Sequence, residues 1–392
     1  MKKKILIACN NLHVGGIQRS LINLLNEISN QYDVTLFLFY PQGEYTIPKG
    51  VRVICGNRFT KIMGMSQGEA EQDGVFTRIW RAGWTAVTRL VGCGIPFRIL
   101  CAFQRLHEEY DVAISFMQNS AFRYFYGGCN EFIVNSVRAK RKISFVHCDF
   151  AHYFGNNAYN REYYRHFDRI ACVSDSCKRV FDAVCPELAE RTTVVHNCYC
   201  FSEMQELAQA FEAEHTPGKV NLFTSARISE EKGIFRMIGI LERLKKSGCD
   251  FVWRIAGGGA LYEKAVEMSR KAGLTEQIIF LGIQKNPYPY FKSADLLLVP
   301  SYDEAAPMVF GEAMAFGLPI LTTDTTSAKE LVADLGIGFV CENSDLGIEN
   351  ALRNLLCHPE LLKRYRRETD NRTALCEFAA VCEGSENFVK GV

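Results

Sequence analysis

The chain has 392 residues, of which 48% are apolar and 23% charged, and these values favour a soluble globular protein of two domains. The net charge is only +1, so bulk charge indicates no partner, and we predict no nucleic-acid partner. The charge is nevertheless uneven, because residues 1–200 carry +7 and the remaining residues −6. A basic first half is typical of a protein with an anionic substrate or surface near one domain.

The cysteines and the N-terminal residues indicate the cellular compartment and whether a metal site is expected. The 16 cysteines are irregularly spaced and include no C-x-x-C pair, so buried, reduced thiols fit better than a zinc site. The first apolar run, residues 5–9, is too short for a signal peptide. No stretch reaches the roughly 18 apolar residues that a membrane span needs. We therefore expect a cytoplasmic protein without a metal site.

Short apolar runs alternate with helical patterns along the chain. The runs are mostly continuous, as is typical of parallel strands that are buried on both faces. In chain order they are KILIAC, VTLFLFY, VRVIC, VAISFM, KISFVHC, IACVS and TTVVHN in the first half, and VNLFTSA, FVWRIAG, IIFLG, LLLVPS, PILTT and IGFVC in the second. Two such series predict an α/β protein with two doubly wound, Rossmann-like domains that face each other across a cleft.

The predicted domain boundaries follow from a change in composition. Residues near 198–219 are polar and end in Pro-Gly, so we place one domain at 1–200 and the other at 201–370. Residues 371–392 are predicted to form a C-terminal segment that packs back on the first domain. Doubly wound sheets bind ligands beyond the carboxyl ends of their strands, so the residues that follow the strands are the candidates for a site.

Two of these strand ends are suited to bind an anion. After the first strand, Gly15 and Gly16 permit a tight turn into a helix, and the backbone N–H groups at a helix start can hold a phosphate. The first strand of the second half leads into SARISEEKG, in which Arg227 and Lys232 form a candidate diphosphate clamp. The alternatives are a turn without a ligand and two solvated cations beside neighbouring glutamates.

The stretch SYDEAAPMVFGEA contains two glutamates, one on either side of a predicted helix start. Glu304 lies on the loop, Pro307 suits the first helical position, and Glu312 lies on the second turn. The backbone N–H groups near Met308 and Val309 could hold a phosphate. Ionised carboxylates accept the hydrogen bonds that hydroxyls donate, so the pair is suited to a sugar. The alternative is a solvated acidic face.

The order of these motifs resembles glycosyltransferase family 4, the retaining nucleotide-sugar transferases of the GT-B fold. The resemblance rests on two glutamates with seven residues between them, followed by AMAFGLPI, and on VGGIQRSLINLL, KISFVHCDF, SARISEEKG, IAGGGALYEK and FLGIQKN. It covers most of the chain and implies an N-terminal acceptor-binding domain and a C-terminal donor-binding domain. The loop reads DEAAP where many members have Glu-Gly-Phe-Pro, which leaves the donor sugar open.

The resemblance also implies a role for each candidate residue. Arg227 and Lys232 would bind the donor diphosphate, while Glu304 would bind hydroxyls of the transferred sugar and Glu312 the ribose. His147 would lie near the reacting sugar. The other contacts to the diphosphate, the base and the sugar would come from Gly15, Gly16, Gly282, Ile283, Ala306, Pro307, Met308 and Val309.

The sequence contains no D-x-D, the motif with which many transferases hold a diphosphate through a metal. Arg227 and Lys232 would then neutralise the leaving diphosphate, so we predict that no metal or other cofactor is needed. In the retaining family, attack is thought to occur on the face from which the leaving group departs, and a phosphate oxygen can take the proton. His147 would therefore position a substrate first and act as a base second. The alternative is a histidine bonded only to the backbone.

Residues 74–107 contain five arginines and no acidic residue. On a helix over 76–92, three arginines share one face and two tryptophans point the other way: Arg78, Arg81 and Arg89 against Trp80 and Trp84. Such a basic helix with interfacial aromatics is suited to an anionic membrane surface, and a lipid-linked acceptor would follow. The alternative is an ordinary helix packed on the first domain.

These observations predict a retaining hexosyl- or N-acetylhexosaminyltransferase with a UDP- or GDP-linked sugar donor. Its acceptor would be a glycan or a lipid-linked saccharide, in surface polysaccharide or glycoconjugate biosynthesis. It would work in the cytoplasm, peripherally on the inner face of the cell membrane. The alternatives are a sugar-nucleotide epimerase of the same fold and a non-catalytic sugar-nucleotide-binding protein. The intact set of Arg227, Lys232, Glu304 and Glu312 argues against the second of these.

Overall fold

A computed structural model describes residues 2–364 and 369–384. The chain divides into two compact units, one formed by the residues up to Cys198 together with the segment from Asn371, and the other formed by Tyr199–Asp370. Each unit contains one parallel β-sheet whose strands are connected by helices.

The first unit is built on a seven-stranded sheet. Its strands are β1 (Lys4–Cys9), β2 (Asp33–Leu38), β3 (Arg52–Cys55), β4 (Glu109–Ser115), β5 (Arg138–Val146), β6 (Arg169–Cys172) and β7 (Thr192–Val194). They pair in parallel in the order β3-β2-β1-β4-β5-β6-β7. All residues of β1 except the first are buried, as expected for a central strand covered on both faces.

Seven helices of the first unit precede the second one: α1 (Gly16–Ile28), α2 (Gln67–Gln72), α3 (Val75–Val91), α4 (Gly94–Ala102), α5 (Cys129–Ser136), α6 (Ala158–Tyr163) and α7 (Asp175–Val184). Helix α1 packs on the sheet through Leu21, Leu24, Leu25 and Ile28. These residues recur at the three- and four-residue spacing that forms one apolar face of a helix.

The second unit is built on a six-stranded parallel sheet. Its strands are β8 (Val220–Ser225), β9 (Phe251–Ala256), β10 (Ile278–Gly282), β11 (Leu296–Val299), β12 (Ile320–Thr323) and β13 (Gly338–Cys341), in the order β10-β9-β8-β11-β12-β13. Its helices are α8 (Phe201–Leu207), α9 (Ile234–Lys246), α10 (Tyr262–Lys271), α11 (Tyr288–Ser293), α12 (Met308–Ala315) and α13 (Asp345–Cys357).

Both sheets have a point at which the strand order reverses. The reversal lies between β1 and β4 in the first unit, and between β8 and β11 in the second. Loops that leave neighbouring strands in opposite directions open a crevice there, and this is where doubly wound sheets bind ligands. The predicted class, two doubly wound Rossmann-like domains, is confirmed.

The last described helix, α14 (Arg372–Glu383), packs on the first unit. Phe378 and Val381 are buried in its core, and the Phe378 ring meets Tyr32 edge to face at 6.0 Å. The carboxylate of Glu377 accepts a hydrogen bond from the backbone N–H of His196 at 2.9 Å. Within residues 2–364 and 369–384, no helix is both long enough and apolar enough to cross a membrane.

Candidate functional site

The loop after β8 carries the two predicted cations, Arg227 and Lys232. The turn after β9 fixes this loop, because Ile228 N donates a hydrogen bond to Gly258 O at 2.8 Å. A Cβ on Gly257 would lie 1.8 Å from the carbonyl oxygen of Ala226, and the φ of Gly257 is +155°. Only glycine permits so close a backbone approach at this φ. The three glycines that follow β9, residues 257–259, therefore position the loop that carries Arg227 and Lys232.

Lys232 and the loop after β11 meet through an ion pair. Lys232 Nζ lies 2.6 Å from Glu304 Oε1, and Ser301 Oγ donates a hydrogen bond to the same oxygen at 2.7 Å. The two charged side chains are only 22% and 11% exposed, so the pair is shielded from water. No described residue donates a hydrogen bond to Oε2. Glu304 is thus held in one orientation with a carboxylate oxygen that can accept from a ligand hydroxyl.

Arg227 does not join this pair. Its side chain is 71% exposed, and its Nη2 donates to Glu231 Oε1 at 2.8 Å. Burial raises the pKa of Glu231, but hydrogen bonds from Ser229 and Arg227 outweigh it and hold the pKa below its ordinary value. Glu231 is therefore charged at neutral pH, and an incoming diphosphate would compete with it for the Arg227 guanidinium.

Arg236 and Gly233 connect the loops after β8 and β11, and the sequence analysis missed both. Arg236 is buried, and its guanidinium donates to Pro300 O and Ser301 O, each at 2.8 Å. It also stacks 3.9 Å above the centre of the Tyr302 ring. Gly233 has φ +70°, and a Cβ there would lie 1.9 Å from Pro300 O. Nothing in the local sequence distinguishes Arg236 from a solvated arginine on α9.

The second glutamate, Glu312, lies buried on α12. Pro307 precedes this helix as its cap residue and Met308 begins it, so the prediction that Pro307 takes the first helical position was wrong by one residue. The ψ of Pro307 is 130°, which is extended rather than helical. No acidic residue lies in the first turn of α12, so the N–H groups of Met308 and Val309 can hold an anion. Ala306 lies on the loop before them and is half-buried.

The loop after β10 offers an apolar surface beside these elements. Gly282 has φ +68°, and its carbonyl oxygen accepts a hydrogen bond from Gly257 N at 2.8 Å. Ile283 is exposed, and its side chain lies against Gly258, where a Cβ would come within 2.6 Å of it. Ile283 and the glycine turn together form an exposed apolar patch of the kind on which a planar base can rest.

In the first unit, Gly15 and Gly16 form the start of α1, directly after β1. Gly15 is extended with φ −176°, and Gly16 is the first helical residue. The first turn contains no acidic residue, so its backbone N–H groups can hold an anion.

His147 follows β5 and lies between aromatic rings. The centroids of Phe116 and Phe145 are 4.8 and 5.7 Å from its own. Burial lowers the pKa of His147 to about 4, and a hydrogen bond with the Phe116 backbone only partly opposes this. Nε2 has no hydrogen-bond partner among the described residues. A neutral imidazole with one unpaired nitrogen can bind a substrate group.

A histidine–glutamate pair at the end of β1 was not predicted. His13 Nε2 lies 2.7 Å from Glu69 Oε1, and the backbone N–H of Ser66 donates to the other oxygen of Glu69 at 2.6 Å. His13 lies beside the VGG motif, but Glu69 is distant in sequence, so no local pattern could have joined them. The pair lies at the same edge of the sheet as Gly15 and His147. The segments after β1, β3 and β5, which carry these residues, all leave the carboxyl ends of parallel strands.

Helix α3 is oriented differently from the prediction. Arg81 is buried and donates to Met65 O at 2.7 Å and to Phe125 O at 3.3 Å, so it does not face solvent. The predicted basic face therefore packs on the protein at its centre. Several large apolar residues are exposed instead: Val75, Phe76, Ile79, Val87, Leu90 and Val91. Arg78 and Arg89 are exposed near the two ends of the helix.

Solved structures with this arrangement support the assignment of the fold. The structure of HepE from Anabaena in complex with UDP and glucose matches with a TM-score of 0.64 and 16% identity, over 98% of this chain and 95% of that one. Two parallel-sheet Rossmann-like domains of this kind define the GT-B fold of glycosyltransferases.

The sequence comparison identifies the second unit more closely. Residues 207–372 match the family described as glycosyl transferases group 1, so the chain carries a group 1 glycosyltransferase domain. An uncharacterised glycosyltransferase of Methanocaldococcus jannaschii is 26% identical over 179 residues, which are 43% of each chain. A GDP-mannose-dependent α-(1-6)-phosphatidylinositol dimannoside mannosyltransferase of Mycobacterium tuberculosis is 27% identical over 213 residues, 53% of each chain. The chain thus covers less than two thirds of the length of these relatives.

Proposed function

We propose that the protein is a retaining glycosyltransferase of family 4 that uses a nucleotide-sugar donor and needs no metal or other cofactor. One observation carries this proposal: the shielded pair of Lys232 and Glu304, held by Ser301 at the strand-order reversal of a group 1 domain. The pair places a cation and a hydroxyl acceptor side by side, and a sugar diphosphate needs both.

Each group of the donor then has a candidate partner in the second unit. The diphosphate binds Lys232, Arg227 and the N–H groups that begin α12. Oε2 of Glu304 accepts hydrogen bonds from hydroxyls of the sugar, Glu312 accepts from the ribose, and the base rests on Gly282 and Ile283. Arg236 contacts no substrate but holds the loop after β11 through Pro300 and Ser301. The cations stabilise the charge that develops on the leaving diphosphate.

His147 acts on the acceptor side as a neutral group. Its depressed pKa keeps the imidazole uncharged at physiological pH, and Nε2, which is buried and has no hydrogen-bond partner among the described residues, is the atom that we assign to a substrate hydroxyl. With retention, a phosphate oxygen of the leaving group takes the acceptor proton, so His147 positions the sugar more than it removes a proton. His13 and Glu69 lie at the same sheet edge and add a second polar contact for the acceptor.

The donor is linked to UDP or GDP. The Anabaena neighbour was solved with UDP and glucose, and the mycobacterial relative is named as GDP-mannose-dependent. The acceptor is a glycan or a lipid-linked saccharide, in surface polysaccharide or glycoconjugate biosynthesis. The acceptor named for the mycobacterial relative is a phosphatidylinositol dimannoside, which is a glycolipid.

A membrane surface is the proposed site of action, on the cytoplasmic face. The exposed apolar residues of α3 include Ile79 and Leu90, which are 63% and 78% exposed and would be buried among lipid chains. Arg78 and Arg89 flank them, and no acidic residue lies within 74–107 to oppose an anionic surface. Membrane association through α3 therefore rests on exposed apolar area first and on charge second.

The competing function is a sugar-nucleotide epimerase of the same fold. Incubation with UDP- and GDP-sugars separates the two, because a transferase without acceptor slowly hydrolyses its donor whereas an epimerase converts it into an isomer. We expect free nucleoside diphosphate and sugar, with the anomeric configuration retained. Appearance of an isomeric nucleotide sugar, or stabilisation of the protein by none of the donors, would contradict the proposal. A ligand at 100 times its Kd stabilises a protein by roughly 2.7 kcal/mol, so binding is readily detected by melting.

A further inference from the structure

A cavity lies in the first unit, away from the carboxyl ends of the strands. It has a volume of about 530 Å³ and is lined by α4, the residues that follow it and Asn135 of α5. Its apolar wall consists of Ile95, Ile99 and Phe103, all of them exposed, and its polar wall of Arg98, Arg105 and Asn135. We call it the α4 cavity.

The two guanidinium groups of the α4 cavity have no counter-ion among residues 2–364 and 369–384. Arg98 and Arg105 are exposed, and neither forms a hydrogen bond or an ion pair with a described residue. The surrounding segment, residues 74–107, has no acidic residue that could neutralise them. Two unpaired arginines beside one cavity create a strong local attraction for an anion, and each can bind a phosphate through two parallel hydrogen bonds.

The apolar wall of the α4 cavity continues onto helix α3. The Phe103 ring lies 5.1 Å from Phe59, and Phe59 lies 5.8 Å from Trp80 and 6.3 Å from Phe76. Phe76 and Trp80 in turn line an apolar groove on α3, together with Ile79. An aromatic surface thus leads from the two arginines to the exposed side of α3. A free anion would not bind such an apolar surface, whereas the hydrocarbon chain of a lipid would be buried against it.

We propose that the α4 cavity binds the phosphate of a lipid phosphomonoester, with the hydrocarbon chain lying along Phe103, Phe59 and the groove of α3. A monoester is favoured over a diester because it has three terminal oxygens and a larger negative charge for the two guanidinium groups. The proposal rests on the membrane-associated function above and adds the chemical class of lipid that is recognised.

Vesicle binding by the full chain tests this proposal. Phosphatidylcholine vesicles that contain phosphatidic acid, a monoester, are compared with vesicles that contain phosphatidylglycerol, a diester, at matched zeta potential. We expect tighter binding to phosphatidic acid. The variant Arg98→Gln with Arg105→Gln should lose this preference and bind phosphatidic acid vesicles about 30-fold more weakly, since each cation contributes about fivefold. Each single variant should lose about fivefold.

The matched control is Arg78→Gln with Arg89→Gln, which removes the same charge from α3 but leaves the α4 cavity intact. It should weaken binding to both vesicles by a similar factor and keep the preference. Equal binding of the unaltered chain to both vesicles, or equal loss of preference in both double variants, overturns the proposal. Retention of the preference for phosphatidic acid in the Arg98→Gln, Arg105→Gln variant also overturns it, because another part of the protein would then recognise the monoester. Melting with UDP or GDP is measured separately, so a failed donor site is distinguished from a failed lipid site.

Discussion

Lys232 and Glu304 form a shielded ion pair, with Nζ 2.6 Å from Oε1, although they are 72 positions apart in the chain. The pair joins the loops that follow two neighbouring strands, β8 and β11. It holds the Glu304 carboxylate in a fixed orientation before any ligand binds. Preorganisation of this kind lowers the cost of binding a sugar hydroxyl, because the carboxylate is already ordered.

Replacement of Glu304 by glutamine should weaken the intact donor far more than free nucleoside diphosphate. The charge-assisted hydrogen bond to a sugar hydroxyl is worth about 1.5–3 kcal/mol, so the donor Kd should rise roughly 10- to 150-fold. Free UDP or GDP has no sugar and should bind within about threefold of the unaltered protein. Calorimetric titration of both ligands measures the difference.

Two further variants serve as controls for Glu304. Glu231→Gln removes the same charge from the neighbouring loop, where Glu231 contacts Arg227 rather than Lys232. This variant should change the Kd of the donor and the Kd of the nucleoside diphosphate by a similar factor. Glu312→Gln should weaken both ligands alike if Glu312 binds the ribose. Equal losses for donor and nucleoside diphosphate in the Glu304 variant would refute the assigned role.

Replacement of Lys232 by alanine should lower kcat more than replacement of Arg227. Lys232 is shielded, so its charge acts on the diphosphate through a less polar medium than the exposed Arg227 does. Transfer or donor hydrolysis should be unchanged in EDTA. Lys264→Ala is the matched control, because Lys264 is an exposed lysine of the same unit that pairs with Glu230 and lies over the Phe235 ring, away from the Lys232–Glu304 pair. Complete loss of activity in EDTA, or full activity in both variants, is the contrary outcome.

His147 should make stability depend on pH between about 4 and 6.5. Burial lowers its folded-state pKa from 6.5 to about 4, so in this window the unfolded chain binds the proton and the folded chain does not. The contribution of His147 to stability therefore rises with pH across the window, is complete above about 6.5, and is lost as pH falls toward 4. The full effect is roughly 3 kcal/mol. Urea denaturation at several pH values measures it.

The control is His147→Gln, which keeps a polar side chain of similar length without a titrating group. The difference in stability between this variant and the unaltered protein should decrease as pH falls below about 6.5. If the pH dependence of stability is the same in the His147 variant as in the unaltered protein, another group causes it.

The arginines of α3 should separate into a structural one and two that bind lipid. Arg81→Gln should destabilise the protein by about 1–3 kcal/mol, because it removes the charged donors that satisfy Met65 O and Phe125 O. Arg78→Gln with Arg89→Gln should change stability by less than about 0.5 kcal/mol, since both side chains are exposed. The same double variant should weaken binding to phosphatidylglycerol vesicles about 30-fold. Urea denaturation and co-sedimentation measure the two effects.

Lys246→Glu with Lys271→Glu is the charge control for vesicle binding, because both residues are exposed on helices of the second unit. It should bind anionic vesicles as the unaltered protein does. High salt should weaken the unaltered protein without abolishing binding, because the exposed apolar side of α3 supplies a contribution that salt does not screen. Indifference of the unaltered protein to anionic vesicles would mean that α3 serves another purpose.

The sequence by itself determined the strands and the class of fold. Continuous apolar runs such as KILIAC and FVWRIAG became β1 and β9, because strands buried on both faces need apolar residues at every position. The positions of Arg227, Lys232 and Glu304 at strand ends also followed from the sequence. In a parallel sheet, all carboxyl ends lie at one edge, so order along the chain is enough to bring these loops to the same side.

Only the tertiary structure decided which of these groups are paired and which are buried. Lys232 pairs with Glu304 rather than acting with Arg227, and Arg236 is buried under a loop more than 60 residues away in the chain. On α3, the periodicity correctly separated a polar face from an apolar one but could not say which faces the protein. Burial of Arg81 against two carbonyl oxygens answered that question. These outcomes depend on contacts between segments distant in sequence, and no local pattern of residues records such contacts.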